Sequence, residues 1–241
     1  MAITALTRLT LAQRLGRWSG QVDEAELTTT VGTLEEHASN LVAFIDQAWI
    51  DIQLSQHTRW LWMRGRSVNT AALTASSRTL AASAIDATCR KVIPFLARDY
   101  IPERYILVKH PTTLAIARCS YVPYTVWRGY YDRGTRPEGR PARFTIRPDG
   151  SMEFDPTPDA AYKIDCDYIK ELTELTADNS SPNMPAHFHM LVVWWAAVHL
   201  FDYDEKGSRY QTADRQYKKM LNRLNIEQLE EDSHAEYLTS L

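Results

Sequence analysis

Apolar positions recur with two different periods along the chain, and the change of period divides it. Leu6, Leu9, Leu11 and Leu15 predict a short first helix ending at Gly16. The polar stretch "SGQVDEAELTTTVG" reads as a loop. Leu34, Ala38, Leu41, Ile45, Trp49 and Ile52 then recur at helical spacing and predict a second helix with one apolar face. Thr33 and Glu36 have the spacing of a capping box at its start. Trp60 and Trp62, two apart in "HTRWLWMRGRSVNT", mark a transition to a strand or an irregular turn.

From Ser67 to Leu172 the period shifts toward two. β-Branched and aromatic residues gather in the short runs "KVIPFLARD", "RYILVKH", "RFTIRP", "SMEFDP" and "AYKIDCDYI". Pro148-Asp149-Gly150 joins two of these runs, because proline presets φ and Asp-Gly tolerates the positive φ of a tight hairpin. Pro156 and Pro158 cannot extend a strand ladder, so a turn is expected there. A short helix is predicted to begin at Pro123 or Tyr124, and "DRGTRPEGRPA" reads as a loop. After Leu172 the pattern is helical again. Asn183 is the expected N-cap, with Pro185 in the first turn. "AHFHMLVVWWAAVHLFDY" is apolar nearly all round and predicts a central core helix broken at Gly207. Tyr210, Ala213, Tyr217, Met220, Leu221 and Leu224 form the stripe of a last helix.

These elements predict an α+β fold: a helical bundle of N-terminal and long C-terminal helices with a small antiparallel β insertion. The expected divisions are residues 1–66, 67–172 and 173–226, followed by an acidic tail at 227–241. That tail holds five acidic residues and no lysine or arginine. It is read either as a frayed terminus or as a segment that orders on a partner.

Composition narrows the class. Of 241 residues, 44% are hydrophobic and 24% charged, as in a globular chain able to bury a core. No apolar run approaches the ~18 residues that span a bilayer, so no membrane role is expected. Arg8 and Arg14 interrupt any signal-peptide-like region near the start. The protein is therefore expected to act in the cytoplasm or in something assembled there. The net charge of −3 argues against a dedicated nucleic-acid binder. Cys89, Cys119 and Cys166 are too far apart for a disulfide framework or a zinc site and read as buried hydrophobes.

Candidate chemistry is sparse. Asp165 and Asp167 alternate along a strand and share a face, where they can do acid–base work, hold a cation or line solvent. His187 and His189 are two apart and cannot both ligate one metal from regular helix; one exposed and one packed ring is the expectation. His37, His57, His110, His199 and His234 have no partner at ligand spacing. Arg133, Arg136, Arg140 and Arg143 cluster in one loop, which can touch phosphates or pair with acidic residues of a neighbour. Gly-x-Ser-x-Gly and Gly-rich phosphate loops are absent. No residue is put forward as catalytic, cofactor-binding or metal-binding, no cofactor is expected, and the protein is not expected to be an enzyme.

The order of segments resembles the head-to-tail adaptor (connector) proteins of tailed bacteriophages. The resemblance is carried by "LTLAQRLGRWSG", by "LVAFIDQAWIDIQLSQHTRWLWMRG", by "YVPYTVWRGYY", and by the block from Gly139 to Ala196 with its Arg-Pro, Pro-Asp-Gly, Pro-Thr-Pro and Met-Pro landmarks. It implies a virion structural protein at the head-tail junction. Such subunits form a homo-oligomeric ring, with twelve copies as the family expectation. The ring sits under the portal protein, receives a downstream tail or nozzle protein, and passes genomic DNA through its channel without sequence-specific binding. Two other readings stand beside it: a tail-completion or tail-tube component that never contacts the portal, and a tail-associated hydrolase using Asp165, Asp167 or another carboxylate.

Overall fold

Thr7 opens the first helix by exchanging hydrogen bonds with Thr10: the Thr7 amide donates to Thr10 Oγ1 at 2.8 Å and the Thr10 amide to Thr7 Oγ1 at 3.4 Å. In the computed structural model, residues 4–20, 27–31, 36–56, 60–96, 104–130, 137–205 and 207–229 are described. They contain five α-helices: α1 (Arg8–Ser19), α2 (Glu36–Ser55), α3 (Tyr124–Tyr130), α4 (Met190–Tyr203) and α5 (Gly207–Gln228). The chain divides into two units. One is Met63–Glu171, and the other combines the segments before and after it.

In the unit built from the flanking segments, the helical unit, α4 packs against α1, α2 and α5. Its all-round apolar surface is what that position requires, and Leu191, Val192, Ala196, Ala197 and Phe201 are fully enclosed. α1 contributes Leu11 and Leu15, and α2 contributes Leu41, Ile45, Ala48 and Trp49, all with no exposure. Trp18 meets the ring of Trp194 edge-on at 4.5 Å, and Trp195 stacks on Tyr217 at 4.3 Å. α5 is more polar and buries only Ala213 and Leu224 completely. Polar ties close this unit. Arg8 pairs with Asp46 on α2 and donates to Thr30, whose amide donates in turn to Asp178 at 2.6 Å. Gln53 holds the returning chain with reciprocal 2.9 Å bonds to the Thr173 backbone.

Several helix ends differ from the sequence reading. α1 continues past Gly16, which is buried, and ends at Gly20, whose φ of 70° supplies the left-handed cap. Asn183 does not cap α4. Pro185 is extended and precedes a single 3₁₀ turn (Ala186–Phe188), and α4 follows from Met190. Gly207 starts α5, and the break before it falls at Asp204–Glu205, where Glu205 has a φ of 56°. The capping residue Thr33 lies outside the described residues, as does the remainder of segment 32–35.

The largest correction concerns the β region. It is not a small antiparallel insertion on a helical bundle, but a nine-stranded mixed sheet with its own core. The strands of the unit, nine in this sheet and two (β7 and β10) outside it, are β1 (Arg64–Ala72), β2 (Thr79–Leu80), β3 (Cys89–Ile93), β4 (Phe95–Leu96), β5 (Arg104–Lys109), β6 (Ile116–Tyr121), β7 (Glu138–Gly139), β8 (Arg143–Ile146), β9 (Met152–Asp155), β10 (Thr157–Pro158) and β11 (Lys163–Lys170). The sheet runs β1-β11-β5-β6-β8-β9-β2, with β3 also on β11 and β4 on β5. β11 is its hub: β1 pairs along one edge, and β5 and β3 share the other. β6 and β8 are parallel, joined through α3. β7 and β10 form a separate parallel pair.

The sequence hid this size because β1, "RGRSVNTAA", has no apolar alternation. β11 holds it in place. Gly65 lies opposite Tyr168, and a Cβ at Gly65 would meet that ring at 2.3 Å. The ring of Tyr168 covers the bare glycine backbone, as aromatic residues do across glycine in sheets. Elsewhere the pattern reads directly. Pro148–Gly150 turns between β8 and β9, with Gly150 at φ 81°. Pro158 belongs to a strand despite lacking an amide, because Thr157 and Asp159 are the residues that donate to β7 and its neighbour Pro137.

Candidate interaction surfaces

Asp165 and Asp167 lie on the outer face of β11, while Ile164, Cys166 and Tyr168 are buried beneath it. Asp165 receives both arms of Arg66, at 3.3 and 3.2 Å. That hydrogen bonding and charge raise the Arg66 guanidinium pKa further. Arg66 also reaches over the Phe95 ring. An ion pair on an open face orders side chains more than it stabilises the fold.

The histidines divide. His187 is exposed and meets Glu227 at 3.0 Å. His189 is buried: its Nδ1 accepts the Leu6 amide at 2.9 Å and its Nε2 donates to the Met184 carbonyl at 3.1 Å. His110 Nδ1 accepts the amides of Thr112 and Thr113, organising the β5–β6 turn. His199 lies 3.3 Å from Asp51 and edge-on to Trp195. His37 is exposed on α2, and His57 and His234 lie outside the described residues. Among the described residues, no three His, Cys, Asp or Glu side chains gather as metal ligands would.

Burial pushes the Cys89 thiol up to about 11 and the Cys166 thiol to about 12, and raises Cys119 further still. All three stay protonated and unreactive at neutral pH. Of the loop arginines, Arg140 and Arg143 are exposed beside β7 and β8, and Arg133 and Arg136 lie outside the described residues.

Two surfaces of the β unit emerge that sequence reasoning missed. The first is the β5–β6 turn, which presents Leu114 at 60% and Ile116 at 64% exposure, with Leu114 held at φ 58°. The second is a cleft of about 530 Å³ beside the Pro148–Gly150 turn. Arg90 and Lys91 on β3, Tyr121 at the end of β6, Tyr124 at the start of α3, and Arg147 line it. Its one carboxylate, Asp149, is occupied by the amide and hydroxyl of Ser151 at 2.9 and 2.6 Å, bonds that lower its pKa. Arg147 is fixed by Glu153 at 2.9 Å. Three cations thus face one engaged carboxylate. Residues from three separate stretches of the sequence build this cleft, so no local motif announces it.

The profile of the SU10 adaptor protein family matches residues 6–239, through both units. The chain belongs to that family. No curated protein sequence matches it. Membership agrees with the resemblance to phage head-to-tail adaptors. It implies a structural place in the virion and contacts with portal and tail proteins in general. Among the adaptor's described residues, no helix is long and apolar enough to cross a membrane.

The buried ring of His189 gives the adaptor a pH dependence. Burial lowers its pKa from the usual 6.5, and a protonated Nδ1 cannot accept the Leu6 amide. The unfolded chain therefore takes up this proton first as pH falls. The stability due to the neutral ring is complete above about pH 6.5 and is lost as pH drops through the depressed value. The melting temperature is expected to fall between pH 7.5 and 5.5. A His189→Gln variant, less stable at pH 7.5, should show a shallower fall. Equal slopes in the two proteins would count against this account.

Proposed function

We propose that the adaptor assembles into a closed homo-oligomeric ring of twelve copies beneath the portal. The ring joins capsid to a downstream tail or nozzle protein and extends the DNA channel. It works through its surfaces, with no catalytic step and no cofactor. The observation that carries this reading is the family match, which spans both the helical and the β unit. The residues with possible chemistry are in keeping with it: Asp165 is paired with Arg66, and His189 is bonded to backbone on both sides. A head-to-tail ring brings two different surfaces of the same chain together, and it closes only if the rotation between copies allows. The channel lining should be polar or acidic, since strong phosphate binding would slow DNA transit.

Native mass spectrometry of the adaptor alone and mixed with the portal ring of the same phage tests this. Portal-bound complexes carrying one adaptor per portal subunit are expected. No association at any salt concentration overturns the reading and favours a tail component that does not touch the portal. The Asp165→Asn/Asp167→Asn double variant should assemble normally, whereas loss of a hydrolytic activity in that variant would point to an enzyme.

A further inference from the structure

The basic cleft of the β unit is lined from β3, the end of β6, the start of α3 and the Pro148–Gly150 turn. Arg90 and Lys91 project from adjacent positions of β3, both exposed and neither in an ion pair among those residues. Arg147 forms a third positive corner, held by Glu153, and Tyr121 and Tyr124 add aromatic surface. The rigid Pro148–Gly150 turn forms one wall, with the Gly150 amide bonded to the Arg147 carbonyl at 3.0 Å. A cleft of about 530 Å³ suits a few residues of peptide and is too small for a nucleic-acid duplex.

The same chain carries a matching ligand. Residues 230–241, "EEDSHAEYLTSL", contain four carboxylates, no lysine or arginine, and one tyrosine. We infer that the acidic segment 230–241 of one adaptor copy docks on a second copy, a few of its residues filling the basic cleft with carboxylates on Arg90, Lys91 and Arg147. Tyr237 pairs with the tyrosine wall, in the way aromatic anchors recur at interfaces. The choice of a second copy rests on the ring proposed above: a head-to-tail contact needs a donor surface and a different acceptor surface on each chain, and segment and cleft are such a pair. Because Arg90 and Lys91 are exposed, the contact weakens as salt is added.

A fluorescein-labelled peptide of residues 230–241, titrated into the full-length adaptor and followed by anisotropy, tests the site. Arg90→Glu/Lys91→Glu should weaken binding about tenfold or more, as removal of close charge pairs does at other interfaces. A peptide with glutamine and asparagine in place of its acids should fail on the unaltered protein, so the test does not depend on the variant's folding. Binding that ignores both changes, or no binding at all, overturns the inference. So does a short DNA duplex that binds and is displaced by the charge reversal while the peptide does not bind, which would make the cleft a phosphate site.

The source of the segment is read by carbodiimide coupling in a mixture of isotope-labelled and unlabelled copies. This joins a tail carboxylate to the Lys91 amine. Hybrid products carrying one label are expected, and same-chain products alone overturn docking between copies. The outcomes separate from those of the ring. An adaptor that joins the portal while the peptide ignores the cleft removes this inference alone. A cleft that binds the peptide in a chain that never joins a portal removes the ring and leaves the site.

Discussion

Replacing Trp60 with alanine will lower the stability of the helical unit by about 3–5 kcal/mol, the range for deleting a fully buried aromatic side chain. Trp60 has no exposure, stacks on Trp62 at 4.5 Å and donates its indole N–H to the Ile52 carbonyl at 3.0 Å. Its loss opens a cavity and leaves a carbonyl in the last turn of α2 without that donor. Trp60→Phe keeps most of the volume and loses only the hydrogen bond, so it should cost about 1–2 kcal/mol. Denaturant unfolding followed at 222 nm measures both. Equal losses for the two variants would show that packing contributes little here.

Glu153→Ala should destabilise the β unit by about 2–3 kcal/mol. The Glu153 carboxylate is 3% exposed and lies between Arg78 and Arg147, at 2.9 Å from each. Removing one partner of a fully buried ion pair costs about 3–5 kcal/mol. The arginine side chains here are 25% and 34% exposed and can recover water, so the expected loss is smaller. Glu153→Gln keeps the shape and one acceptor and should fall between. The double variant Arg78→Ala/Glu153→Ala should cost less than the sum of its single changes, because the two side chains share one interaction. Strict additivity in guanidinium unfolding would contradict the bridge.

The helices were legible because their signal is local. Leu41, Ile45, Trp49 and Ile52 repeat at helical spacing, and the all-apolar run from Met190 has only one sensible place, the centre of its unit. Helix ends were less legible. Gly16 and Gly20 are both glycines near the end of α1, and only the backbone φ tells which one stops it. The sheet was read at its apolar strands, β3 with β4, β5, β8, β9 and β11, and at the Pro148–Gly150 turn. Its extent was missed because β1, β2 and β6 owe their place to pairing with other strands. The parallel β6–β8 pair depends on a crossover that no window of sequence reports. The cleft was invisible for the same reason: Arg90, Tyr121 and Arg147 become neighbours only through the sheet. The acidity of 230–241 was plain from the outset, but its complement was not.

The β unit is one uninterrupted stretch of chain, whereas the helical unit is split around it, and the two crossings are adjacent in the sheet, with Arg64 paired to Ile169. During synthesis, then, the second unit to begin is the first that can be completed. At about 5–20 residues per second, the roughly hundred residues of the β unit occupy the ribosome for about 5–20 s. For all of that time α1 and α2 lack α4, the helix against which they bury their leucines. Premature association of this adaptor should therefore be governed by the waiting N-terminal helices.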